Sequence, residues 1–152
     1  MTEKERVSNL YKTVYNGHPW IDINILETLE SISAEQAYTK VKPEINSIWE
    51  IVNHMIQWRL NVLQRVQGKI MTTPGHNYFT KNSDPSEEAW KNTLISLEES
   101  QQQWIELLSD FNESDFEKIY PNNNLTYYEH IHGIIQHDVY HLGQIVILKK
   151  FI

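Results

Sequence analysis

Apolar residues recur at three- and four-residue intervals in four stretches of the chain, the spacing that lines one side of an α-helix. Val7, Leu10 and Val14 mark the first stripe, and Ile48, Ile51, Met55, Trp58 and Val62 the second. Trp90, Leu94, Leu97, Trp104, Leu108 and Phe111 mark the third, interrupted by the polar Gln101, and Ile131, Ile134, Ile135, Leu142 and Ile145 mark the fourth. Near the start of each stripe stands a small oxygen-bearing residue followed three positions on by Glu, a pair whose side chains satisfy each other's backbone donors at a helix start. These pairs are Thr2 with Glu5, Ser47 with Glu50, Asp84 with Glu87, and Thr126 with Glu129. Pro85 adds the proline favoured in a first helical turn, and all five prolines fall outside helix interiors, where each would delete a hydrogen bond and clash. The pattern predicts an all-α fold, a four-helix bundle.

The remaining segments refine that expectation. Residues 21–41 carry enough helical pattern for one or two short extra helices between the first two long ones, with Ser33 and Gln36 as a weaker capping pair. The connections from about Gly68 to Asp84 and from about Asp110 to Leu125 exceed ordinary bundle loops, which predicts functional lids or packed surface loops. Alternation compatible with a strand occurs only near Phe116 to Tyr120. No internal repeat or low-complexity stretch is present.

With 152 residues, 40% of them hydrophobic and 22% charged, the chain has the size and composition of one globular domain spanning 1–152. It contains no cysteine, which removes any protein thiolate, cysteine-ligated metal or disulfide and points to a reducing compartment. The start, Met1 to Arg6, shows no apolar leader, and the longest aliphatic run is Ile145 to Leu148. A cytoplasmic protein with no membrane partner is expected. The net charge is −7, and Lys149-Lys150 is the only adjacent basic pair, so the electrostatic footprint of a nucleic-acid partner is missing.

Chemistry concentrates in the histidines. His137 and His141 stand four residues apart in the fourth stripe, which leaves their rings about 40° apart and roughly 6 Å along the helix axis, close enough to share one ion. Such a pair alone holds a cation weakly and needs a further ligand. His54 supplies it from the second stripe, beside Ile51, Trp58 and Val62, as bundles build metal sites from facing helices. The competing reading is structural: with seven histidines in the chain one such pair arises by chance, and an inward His is often a hydrogen-bonded core residue. His130 lies two turns from His137, about 10.5 Å along the axis, too far to join. His18, His76 and His132 read as structural or solvated.

Taken together, Ser47-Ile48-Trp49-Glu50-Ile51-Val52-Asn53-His54 with Trp58, and His137-Asp138-Val139-Tyr140-His141-Leu142-Gly143-Gln144-Ile145, resemble the DinB/YfiT-like family. Helix order, the Gly17-His18-Pro19-Trp20 stretch and Trp90 fit as well, so the resemblance spans most of the chain. It implies a four-helix domain with a divalent metal held by His54, His137 and His141, and a homodimer. Members differ in activity: some are metal-dependent thiol transferases using bacillithiol, mycothiol or glutathione, and others carry a hydrolase label. After Trp20 this chain has Ile21-Asp22-Ile23, where transferase-like relatives tend to carry His-Gly-Pro-like residues.

Three neutral imidazoles leave the ion's charge uncompensated and coordination positions open, the arrangement of a catalytic site. Zinc is favoured, and nickel and iron suit the same nitrogen ligands. The expectation is a small-molecule substrate and a transferase that activates a low-molecular-weight thiol; a hydrolase using hydroxide, or a noncatalytic metal-stabilised bundle, are the alternatives. Gln57, Asp138 and Gln144 are candidates to orient the imidazoles, while Trp58 and Tyr140 are candidate pocket walls. Glu50 suits a general base or an extra ligand, although its place in a capping pair favours a structural role. Gly133 leaves room for a ligand or for close helix packing.

Overall fold

The computed structural model describes residues 1–152. Its long helices are α1 (Glu3–Asn16), α4 (Ile48–Val66), α5 (Glu87–Asp110) and α6 (Tyr127–Leu148), with α2 (Ile25–Glu30) and α3 (Ala34–Tyr38) between α1 and α4. The fold is all-α. Complete capping boxes start α1 at Thr2, α3 at Ser33, α4 at Ser47 and α6 at Thr126. No helix is long and apolar enough to cross a membrane.

Two sequence expectations need correcting. Asp84 and Glu87 do not form a capping box: Ser86 caps α5 by accepting from Ala89 N, and Pro85 precedes that cap. Asp84 Oδ1 instead accepts from Ser86 N at 3.0 Å, and Glu87 Oε1 reaches across to Ala34 N at 2.9 Å. The residues near Phe116 to Tyr120 form no strand. Glu113–Glu117 is a 3-10 helix that buries Phe116, and a lone antiparallel bridge joins Ile119 to Thr126.

The interior is divided. One hydrophobic core gathers Val14 and Tyr15 of α1, Trp49 and Met55 of α4, Trp90 and Leu97 of α5, and Leu142 and Ile145 of α6. The other gathers Val7 and Tyr11, Val62 and Leu63, Trp104 and Leu108, and Ile131 and Ile134 of the same four helices. The order in which each helix visits the two cores fixes its direction. α4 and α5 run the same way, and α1 and α6 run opposite to them. A connection between parallel neighbours must return along the bundle, which is the physical reason that residues 67–86 are so long. Between the cores lies a polar layer of Arg59, Ser100, Gln101 and Asp138, all buried.

Candidate metal centre

Antiparallel packing of α4 against α6 brings His54 to His137 and His141. One ring nitrogen of each lies within 4.8 Å of those of the other two, and His54 Nε2 is 2.9 Å from His137 Nε2. His54 and His141 are buried, while His137 is half-buried at the cavity edge. The other histidines stay away. His130 packs edge-on to Tyr120 and meets Asn123 Oδ1, His132 lies against Tyr128, and His18 and His76 are exposed.

Two carbonyl oxygens settle the ring tautomers. His54 Nδ1 donates to Asn77 O at 2.6 Å, and His141 Nδ1 donates to Gln144 Oε1 at 2.7 Å. A carbonyl only accepts, so each neutral ring carries its proton on Nδ1 and presents an Nε2 lone pair. Burial lowers the His54 pKa to about 4, with the Asn77 bond opposing and the neighbouring imidazoles reinforcing the shift. Burial lowers His141 as well, reinforced by His137. Both are therefore neutral at neutral pH, the form that ligates. Tetrahedral zinc with Zn–N bonds of about 2.0–2.1 Å sets its ligand nitrogens roughly 3.3 Å apart, so the donors reach that geometry by small ring movements. The residues fit a divalent metal ion.

Above the rings opens a cavity of about 550 Å³, walled by Ile51, Trp58, Phe79, Tyr140 and Ile147 among others, with no Lys, Arg, Asp or Glu in its lining. Phe79 stacks face to face on His54, centroids 3.9 Å apart and planes 7° from parallel. Trp58 Nε1 donates to Asn77 Oδ1 at 3.0 Å, and Tyr140, largely exposed, meets His141 edge-on. The segment supplying Asn77 and Phe79 turns through two left-handed residues, Asn77 (φ 50) and Tyr78 (φ 62). Side chains of α4 clamp it: Asn53 Nδ2 donates to Thr80 O at 2.9 Å, and Asn61 Nδ2 to the Tyr78 hydroxyl at 2.8 Å. Sequence reasoning did not find Asn77 or Phe79; the length of their loop was the only signal.

The family model described as the DinB superfamily matches residues 24–145, a span that holds all three histidines. The chain belongs to the DinB superfamily. Searches among curated proteins and among solved structures each found no match.

Within this DinB-superfamily bundle the outer candidate residues separate by position. Gln144 bonds an imidazole directly. Asp138 is buried beside His137 and bound to Arg59 (Nη2 to Oδ2 2.7 Å), whose guanidinium holds the carboxyl below its usual range against the opposing effect of burial. Gln57 is exposed and lines a separate polar groove with Asn53 and Asn92, so it orients no histidine. Glu50 closes the α4 capping box (Ser47 N to Oε2, 2.7 Å) and pairs with Lys40 at 3.0 Å, outside the cavity lining. A Cβ added at Gly133 would meet nothing within 4 Å, so close packing does not require that glycine. Trp20 is 94% exposed and takes no part in the cavity.

Proposed function

We propose that His54, His137 and His141 hold a divalent metal, zinc foremost, and that the protein is an S-transferase joining a low-molecular-weight thiol to an uncharged, largely apolar electrophile. The observation that carries this reading is the meeting of three imidazoles on an apolar cavity whose lining has no charged side chain. When bound, the metal supplies Lewis acidity that deprotonates a coordinating thiol near neutral pH. Because the imidazoles contribute no negative charge, they leave the site selective for an anionic donor. The chain has no cysteine, so the sulfur comes from a second molecule.

The walls argue for the other substrate. Their volume suits a small organic molecule, and Trp58, Phe79 and Tyr140 offer it aromatic faces. No arginine or lysine is present to clamp a phosphate or carboxylate, and no aspartate or glutamate to act as base toward water. Sulfur attacks the electrophilic carbon, a C–S bond forms, and the leaving group departs with its electron pair; the thiol proton passes to solvent.

The test uses untagged, zinc-loaded protein with a panel of thiols and a chromogenic aryl halide. A thiol-dependent rate lost in His54→Ala is expected; a rate equal in both proteins overturns the assignment. Turnover of esters or amides without thiol, and none with it, would replace the reading with hydrolysis. Chelator-sensitive melting with no turnover in either panel would replace it with a metal-stabilised, noncatalytic bundle.

A further inference from the structure

Two buried atoms that face one another lack hydrogen-bond partners: His137 Nδ1 and Asp138 Oδ1, 3.9 Å apart. Asp138 is 1% exposed, and a buried carboxylate oxygen without a donor is costly enough to need an explanation. Its other oxygen is fully engaged. Oδ2 accepts from Arg59 Nε at 3.0 Å and from Nη2 at 2.7 Å, and Arg59 Nη1 donates to Gln101 Oε1 at 3.0 Å. The guanidinium on α4 thus fixes the carboxylate on α6 with Oδ1 turned towards the histidine.

The gap follows from the ring protons. His54 carries its proton on Nδ1, so its Nε2 is a lone pair, and His137 Nε2, 2.9 Å away, must be the donor between them. A neutral His137 then has a bare Nδ1, lone pair against lone pair with Asp138 Oδ1. Ligation requires the Nε2 proton to leave. In a ring that remains neutral, that proton belongs on Nδ1, where Asp138 Oδ1 stands 3.9 Å away and becomes its acceptor once the two close by about 1 Å to hydrogen-bond distance.

We propose that Asp138 is a positioning residue of the metal centre: loading moves the His137 ring proton from Nε2 to Nδ1, which donates it to Asp138 Oδ1 and locks the imidazole as a ligand. The transfer conserves protons, one leaving to solvent from Nε2 and one returning at Nδ1. The inference rests on the metal-centre reading above. It assigns Arg59 the task of holding Asp138, and so places an ion pair of the polar layer in service of the site.

Asp138→Asn is the first test. Its amide oxygen would turn to the Arg59 donors and its NH2 to His137 Nδ1, favouring the tautomer that cannot ligate. Zinc affinity, measured by competition with a chromophoric chelator, is expected to weaken about 10–100-fold. Because this variant disturbs a buried ion pair, ring-nitrogen NMR of the 15N-labelled natural chain provides a second test. His137 Nδ1 is expected to gain its proton when zinc is added, as ligation through Nε2 requires. The resonance of that proton is expected to lie downfield, where a hydrogen bond to a carboxylate places it, a position that a merely structural Asp138 would not produce. A bare Nδ1 in the zinc-loaded protein, or an Nδ1 proton that resonates where an imidazole N–H free of a carboxylate does, overturns the proposal, as does a folded Asp138→Asn protein with unchanged zinc affinity. In both cases, zinc binding that His137→Ala abolishes leaves the metal-centre reading standing. No zinc binding by the natural chain, or binding indifferent to His137→Ala, overturns both.

Discussion

Asn77 O and Gln144 Oε1 each accept from the Nδ1 of a buried histidine, and these two bonds turn ordinary imidazoles into directed lone pairs. They differ in how they are encoded. Gln144 stands three residues after His141 on one helix, so its reach is readable from spacing. Asn77 lies 23 residues from His54 and acts through its backbone, which no side-chain pattern announces. Gln57 has the same chemistry as Gln144 but faces solvent. The two glutamines therefore predict opposite outcomes. Gln144→Leu removes the acceptor of His141 and should weaken zinc binding about 10–100-fold. Gln57→Leu should leave it unchanged, and chelator competition on the two proteins checks both.

At the scale of elements, helix starts were readable because a capping box is local: four residues and their own backbone close it. Thr2, Ser33, Ser47 and Thr126 all do so. Asp84 with Glu87 has the right letters, but Ser86 is the cap next to the helix, and Glu87 is drawn off to Ala34. Apolar stripes told which residues face inward, except at Leu10, which is 43% exposed, but not which way each helix points, so the parallel course of α4 and α5 was not legible. Neither was the polar layer. Gln101 looks like a flaw in the α5 stripe, and Arg59 and Asp138 are 79 positions apart; only the folded topology joins them. The α4 cap gives this scale its own prediction. Ser47→Ala deletes the oxygen that accepts from Glu50 N and should cost about 1 kcal/mol. Since His54 lies nearly two turns further on and is oriented by Asn77, zinc affinity should be preserved, which denaturant unfolding and chelator competition measure separately.

For the whole molecule, the decisive fact is that the three clustered histidines, the proposed ligands, come from two antiparallel helices which also share both cores. His54 on α4 and the α6 pair meet only when the bundle is closed, so an ion bound there is bound to the folded state and withheld from the unfolded chain. Mass action then makes metal affinity a component of stability: free zinc at a hundredfold excess over Kd adds about 2.7 kcal/mol. For a chain of this length each kcal/mol moves Tm by roughly 2–4 °C, so the expected rise is roughly 5–11 °C. A chelator should reverse it fully, and His54→Ala should abolish the increment. The metal-free Tm of that variant need not match the natural protein's, because Phe79 stacks on the lost ring. The quantity that decides is therefore the zinc-dependent difference within each protein. A rise of equal size in both would mean that zinc binds somewhere other than between α4 and α6.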